Sequence, residues 1–213
     1  MQFFPYHRSV APKFYGQAGE DKLVYERYFQ SKRNGIFLEL GALDGVVYSN
    51  TKFFEDTMGW SGVLIEPIPE NYEKCRQSRP RSLIYNCIVS SSPEPMEIYV
   101  NGAVSSVKEH TSEHHYNGWH RPINAKSIVV PCRRLDDILH GAGIRHIDFW
   151  SLDVEGAEYE VLKTMDWDIS VKVLCIETLG EESMVNSCRD LLRQQGFRFD
   201  GPCAHNELWV RNM

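Results

Sequence analysis

Five apolar runs recur along the chain with room for a helix between most of them: GIFLEL from Gly35, SGVLIE from Ser61, SLIYNCIV from Ser82, HIDFWSLDV from His146 and VKVLCIE from Val171. A strand with one wet face alternates apolar and polar residues, whereas a strand covered on both faces reads as a continuous apolar run. Between the runs, AEYEVLKTM after Gly156 and SMVNSCRDLLRQQG from Ser183 carry apolar residues at helical spacing, and Gly196 suits the end of the second. Buried strands alternating with helices predict an α/β fold, a mainly parallel sheet with helices on both faces. After Gly196, FRF and ELWVR read as a closing antiparallel pair joined by a turn around Gly201 and Pro202.

With 213 residues, 42% of them hydrophobic, the chain can bury one core, and a single domain is expected over 1–213. The net charge of −6 argues against a dedicated nucleic-acid binder, which grips phosphate with clustered Lys and Arg. No apolar run is long enough to span a bilayer, and MQFFPYHRSVAPKFYG lacks the basic start and apolar stretch of a secretory signal, so a cytoplasmic location without membrane contact is expected. The six cysteines stand singly, which makes structural zinc a poor expectation. One stretch, 102–124, breaks the alternation: it is polar and histidine-rich, and its length suits a lid or substrate-binding loop.

The segment IFLELGALDG ends an apolar strand at Glu39, turns through Gly41 and reaches Asp44 and Gly45. In open α/β sheets ligands bind beyond the carboxyl ends of the strands, and glycines there let a cofactor approach the backbone. Two glycines in a turn also suit an ordinary tight turn. The following strand ends in Glu66, placed to accept hydrogen bonds from a ribose diol, or simply a surface glutamate. Asp44 would repel a pyrophosphate but suits a cofactor without one, such as S-adenosylmethionine. The cofactor's carboxylate would find donors at Ser49, Asn50 and Thr51, which also read as helix caps. Asn86, among apolar neighbours, needs a partner, either adenine or a structural hydrogen bond.

Asp153, Glu155 and Glu158 crowd one strand end around Gly156, and Glu177 ends the next strand. Such crowding costs repulsion unless a proton, a cation or hydrogen-bond donors relieve it. Methyl transfer to a hydroxyl needs a base, for which Asp153 is the first candidate and Glu155 the second; alternatively Asp153, Glu155 and Glu177 hold a divalent metal that lowers the hydroxyl's pKa. His110 and His114 are spaced to share one side of a helix, and with His115, Tyr116 and Trp119 they are expected to contact substrate, as is Glu158.

Taken together, GQAGEDKLV, FLELGALDGVVYSNTKFFE, GWSGVLIEPIPENYEKC, RP, SLDVEGAEYEVL, IET and NELWVR resemble the FkbM family of S-adenosylmethionine-dependent O-methyltransferases. The resemblance covers nearly the whole chain. It implies a seven-stranded Rossmann-like sheet of the class I methyltransferase type and methylation of hydroxyls on sugars or secondary metabolites. It further implies that Glu39, Gly41, Asp44 and Glu66 bind the cofactor, that Asp153, Glu155, Gly156 and Glu158 lie beside the methyl group, and that Gln17, Glu20 and Asp21 lie near the mouth of the site. Leu43 departs from the pattern, standing where relatives often have a small polar residue, and the 102–124 stretch has no counterpart in it. A sugar hydroxyl on a glycan is the expected acceptor, and the chain suits one domain of a larger glycan-modifying polypeptide. The rival readings are an NAD-dependent oxidoreductase and a non-catalytic module that binds a glycan or a protein.

Overall fold

The computed structural model describes residues 12–178 and 180–211; most of the N-terminal stretch read above, residues 1–11, lies outside them. Seven strands form one sheet: β1 Ile36–Leu40, β2 Ser61–Ile65, β3 Leu83–Tyr85, β4 His146–Leu152, β5 Ser170–Glu177, β6 Phe197–Cys203 and β7 Asn206–Arg211. Their order is β6-β7-β5-β4-β1-β2-β3. The pairs β3–β2, β2–β1, β1–β4 and β4–β5 are parallel, and β7 runs antiparallel to both β5 and β6. The order reverses direction between β1 and β4, so a crevice opens beyond their carboxyl ends.

The helices are α1 Glu20–Val24, α2 Lys52–Met58, α3 Pro69–Ser78, α4 Leu135–Gly141, α5 Glu158–Lys163 and α6 Glu182–Gln194. Pro69 opens α3, where its missing N–H costs nothing, and Gly59 closes α2 in the left-handed conformation (φ 72°). The sheet sorts its side chains to two cores. Leu38 and Leu40 of β1 pack with Leu135, Ile138 and Leu139 of α4, Val161 and Leu162 of α5, and Leu192 of α6. Phe37 faces the other way, toward Phe53, Phe54 and Met58 of α2 and Cys75 of α3. Covered faces explain why these strands carry no alternation. Among the described residues, no helix is long and apolar enough to cross a membrane.

Three expectations need correction. The run from Ser82 is two strands: β3 stays in the main sheet, and Ile88–Val89 pairs instead with Cys132–Arg133. The break falls at Asn86, whose amide donates to the carbonyls of Glu66 and Pro67 at 2.9 Å each, replacing ladder contacts with side-chain ones. The turn between the last two strands lies at Ala204–His205; Gly201 (φ 122°) stays inside β6, where the register shifts. The stretch 102–124 is not bare loop. It consists of short helical turns carried on a small antiparallel sheet of Met96–Tyr99, Ser106–Val107 and Ser127–Val130.

Candidate active site

Beyond the carboxyl ends of β1, β2, β4 and β5 lies a cavity of about 1130 Å³, walled on the far side by the 102–124 stretch. Its floor begins at Gly41 (φ 79°), where a Cβ would overlap the carbonyl oxygen of Asp153. Only glycine permits this approach, which brings the β1 turn and the β4 end into backbone contact.

Glu39 lines the cavity but gives its carboxylate to the following loop. It accepts from Ser49 Oγ at 2.9 Å, Thr51 Oγ1 at 2.6 Å and the Asn50 amide at 2.8 Å. Arg79, fully buried, lies 3.4 Å from Glu39 and 2.5 Å from Glu55, and also donates to Ser49, Thr51 and the Gly45 carbonyl. This closed network shapes the loop from Gly41 to Thr51. Asp44 belongs to the same scaffold: its carboxylate accepts the amides of Val46 and Val47, and it does not line the cavity. Ser49 and Thr51 are likewise turned inward. Asn50 is different. Its amide nitrogen reaches Ser151 Oγ at 3.0 Å, while its Oδ1 is buried without a partner in a residue that lines the cavity.

Glu66, at the end of β2, is only 4% exposed and lines the cavity. Its two oxygens accept the amides of Leu43 and Ile68, each at 2.9 Å, which fixes the carboxylate and leaves lone pairs for a ligand. Burial pushes its pKa up to about 7. Leu43 holds a left-handed conformation (φ 48°) where it brings its amide there, and it lines the cavity. Ile65, Cys87 and Ile88 supply an apolar wall beside Glu66 suited to a flat base. Asn86 does not line the cavity, and its amide nitrogen is committed to backbone.

Asp153 follows β4 and Glu177 ends β5, and the paired ends of these strands bring them together. With Glu155 they offer three carboxylate oxygens within 4.8 Å of one another. Burial is the first cause that raises the pKa of each; for Glu155 and Glu177 the charge of Asp153 comes next. Glu155 reaches the group from a left-handed conformation (φ 55°), uncommon for a side chain with a Cβ. Glu158, though buried, plays another part: it accepts the amides of Val154 and Gly156, bracing the turn that presents Glu155, and its own pKa is raised to about 7 by burial.

Opposite stand His110, His114, His115 and Trp119 of the 102–124 stretch, all lining the cavity. His110 and His114 do not share a helix. Thr111 and Ser112 are extended between them, and the Ser112 side chain starts a new turn by accepting the His115 amide. His115 Nδ1 lies 3.6 Å from Glu155, and its Nε2 lies 3.1 Å from the Val104 carbonyl, which can only accept. The His110 carbonyl sits so close to Gly156 that a Cβ there would come to 2.8 Å. Tyr116 packs near Tyr99 and does not line the cavity; His120, buried, stacks on Tyr99 and bonds Ser106, anchoring the stretch to the small sheet. At the mouth, Gly16 bridges to Tyr48, and Gln17 and Glu20 line the cavity. Asp21, fully buried, instead ties down this segment through the Tyr15 and Lys22 amides.

The residues suit S-adenosylmethionine. Glu66 can take the ribose diol, the apolar wall the adenine, and the unpartnered Asn50 Oδ1 an ammonium. Arg79 and the Cys87–Ile88 wall escaped sequence reasoning: a glutamate inside an apolar strand demands a partner, yet nothing in the pattern says which arginine supplies it.

The strand order, with its switch between β1 and β4 and an antiparallel β7 inserted beside β5, defines a class I S-adenosylmethionine-dependent methyltransferase fold. The sequence model of the methyltransferase FkbM domain matches residues 39–199. The chain belongs to the FkbM methyltransferase family, and S-adenosylmethionine is its cofactor. Among solved structures, methyltransferase FkbM from Methylobacillus flagellatus KT superposes with a TM-score of 0.52 at 16% identity, over 86% of this chain and 46% of that one. A TehB-like SAM-dependent methyltransferase from Corynebacterium glutamicum gives 0.46 at 9% identity, over 94% and 89% of the two chains. Aeropyrum pernix fibrillarin with natively bound S-adenosyl-L-methionine gives 0.47 at 10% identity, over 90% and 72%. No curated protein matches the sequence significantly.

Proposed function

We propose that this methyltransferase acts on a hydroxyl oxygen, that the hydroxyl belongs to a sugar in a glycan, and that Asp153 accepts its proton. The observation that carries the reading is the contact of Gly41 with the Asp153 backbone, which sets the carboxylate group directly beside the cofactor turn. When bound, S-adenosylmethionine supplies a methyl group activated by a sulfonium. Glu66 orients the ribose, and the unpartnered Asn50 oxygen receives the ammonium. An alcohol ionises only far above neutral pH, so its proton must leave as the oxygen attacks. Burial raises Asp153 toward the range in which a carboxylate is an effective base. Trp119, half-exposed across the cavity, offers a flat face for a sugar ring, and His110 and His114 offer hydrogen bonds to its hydroxyls. The 102–124 stretch acts as the acceptor wall of one domain, within a larger glycan-modifying polypeptide in the cytoplasm, and neither a nucleic acid nor a membrane is the partner.

Incubation with methyl-labelled cofactor and a panel of deoxy-sugar glycosides, followed by mass spectrometry and NMR of the product, tests this. A labelled methyl ether on a sugar oxygen is the expected result. Label found on nitrogen or carbon across a wider panel, with no ether formed, would overturn it.

A further inference from the structure

We infer that Asp153, Glu155 and Glu177 form a binding site for one hard divalent cation, Mg²⁺ or Mn²⁺, on the floor of the cavity. The inference rests on the hydroxyl-methylation reading, because a cation there would polarise the acceptor oxygen.

The first observation is geometric. One oxygen from each carboxylate lies within 4.8 Å of the other two, and an octahedral cation with oxygen ligands at about 2.0–2.1 Å holds them about 3–4 Å apart, so small side-chain movements close the site. Asp153 and Glu177 come from the ends of adjacent parallel strands, paired through Leu152 and Ile176, and Glu155 from a turn that Glu158 braces through two backbone amides. The three ligands therefore stand on well-supported backbone, as a site with little reorganisation requires.

The second observation is an orphan. Glu177 is only 9% exposed, lines the cavity, and its Oε2 is buried with no hydrogen-bond partner. A buried carboxylate oxygen without a donor is costly, and the cost is relieved by a proton or by a positive ligand that displaces it. The chain knows how to satisfy its other buried acids. Glu39 and Glu55 have Arg79, while Glu66 and Glu158 have backbone amides. Among the described residues lining the cavity there is no lysine and no arginine. The nearest basic group is His115, whose Nδ1 stays 3.6 Å from Glu155.

A cation on one oxygen of each carboxylate leaves its cavity-facing positions for water and the acceptor hydroxyl, and leaves the second oxygen of Asp153 free to take the proton. Bound in this way, the hydroxyl ionises more readily.

The test needs neither cofactor nor acceptor. Protein freed of metal by chelation is titrated with Mn²⁺ and followed by calorimetry and by the loss of the free-ion EPR signal. One Mn²⁺ per chain, displaced by Mg²⁺, is expected. Glu177→Gln and Asp153→Asn should each weaken it by about tenfold or more, while circular dichroism shows both variants folded. Glu66→Gln should leave Mn²⁺ binding intact. No Mn²⁺ bound at millimolar concentration, or binding unchanged in both ligand variants, would overturn the inference. Binding of S-adenosylhomocysteine is measured in parallel. If it binds and Mn²⁺ does not, the metal site fails while the methyl-transfer reading stands, and the cofactor's own positive groups are what the carboxylates face.

Discussion

The protein gathers two groups of carboxylates, one buried and one partly open to the cavity, and treats them in opposite ways. Glu39 and Glu55 surround Arg79, with Ser49, Thr51 and backbone amides completing their hydrogen bonds. Asp153, Glu155 and Glu177 crowd together with, among the described residues, no arginine or lysine beside them and one oxygen left without a donor. The first group is closed and holds the loop that shapes the cofactor turn. The second opens onto the cavity, and its repulsion can be relieved by what enters. Buried charge that is fully paired belongs to the fold; buried charge that is left unpaired marks the chemistry.

The comparison breaks most readily at Arg79. Replacing it with Met strands Glu39 and Glu55 as uncompensated buried acids and should cost about 3–5 kcal/mol, measured by urea unfolding. Asp153→Asn should leave stability nearly unchanged and lower the methyl-transfer rate by about 10²–10⁴-fold, the usual worth of a positioned base. Glu66→Ala should weaken binding of S-adenosylhomocysteine by about 1.5–3 kcal/mol in calorimetry, the value of a charge-assisted hydrogen bond. Glu177→Gln, which removes the need to take up a proton when this acid is buried, should stabilise the metal-free protein at neutral pH by about 1 kcal/mol. Glu55→Gln, which takes from Arg79 the nearer of its two carboxylates, should do the reverse.

A further effect lies in pH. Burial raises Glu66 and Glu158 to about 7 from an ordinary 4.5. Between these values the unfolded chain has released the proton that the folded chain still holds, so rising pH favours unfolding. Below the lower value both states are protonated, and the stabilisation is present in full. The ligand-free protein should therefore melt at a higher temperature near about pH 5 than near about pH 8, and Glu66→Gln should flatten part of that slope. Thermal melts across this range check it.

The sheet was legible because burial on both faces writes itself into β1, β2, β4 and β5 as largely apolar runs without alternation. The third run misled, since Asn86 breaks it through side-chain bonds to Glu66 and Pro67 that lie outside any local pattern. The turn was misplaced for a similar reason: Gly201 looks like a corner but serves as an irregularity within a strand. For the site, acids at strand ends were readable from position alone, and Glu66, Asp153, Glu155 and Glu177 do converge on one cavity. Which acids face inward was not readable. Asp44, Glu158 and Asp21 carry the same charge yet spend it on backbone amides, and only the three-dimensional path of the chain shows this. The histidines were visible as a group, but the extended Thr111 and Ser112 that separate His110 from His114 were not.

The most direct measurement is a crystal structure with S-adenosylhomocysteine bound, read for the distance from its sulfur to the nearest carboxylate of the open group. The account predicts the ribose diol on Glu66 and the sulfur over the contact of Gly41 with Asp153, facing that group across the space where an acceptor would sit. A sulfur turned away from Asp153, with the three carboxylates walled off from it by protein, would contradict the account.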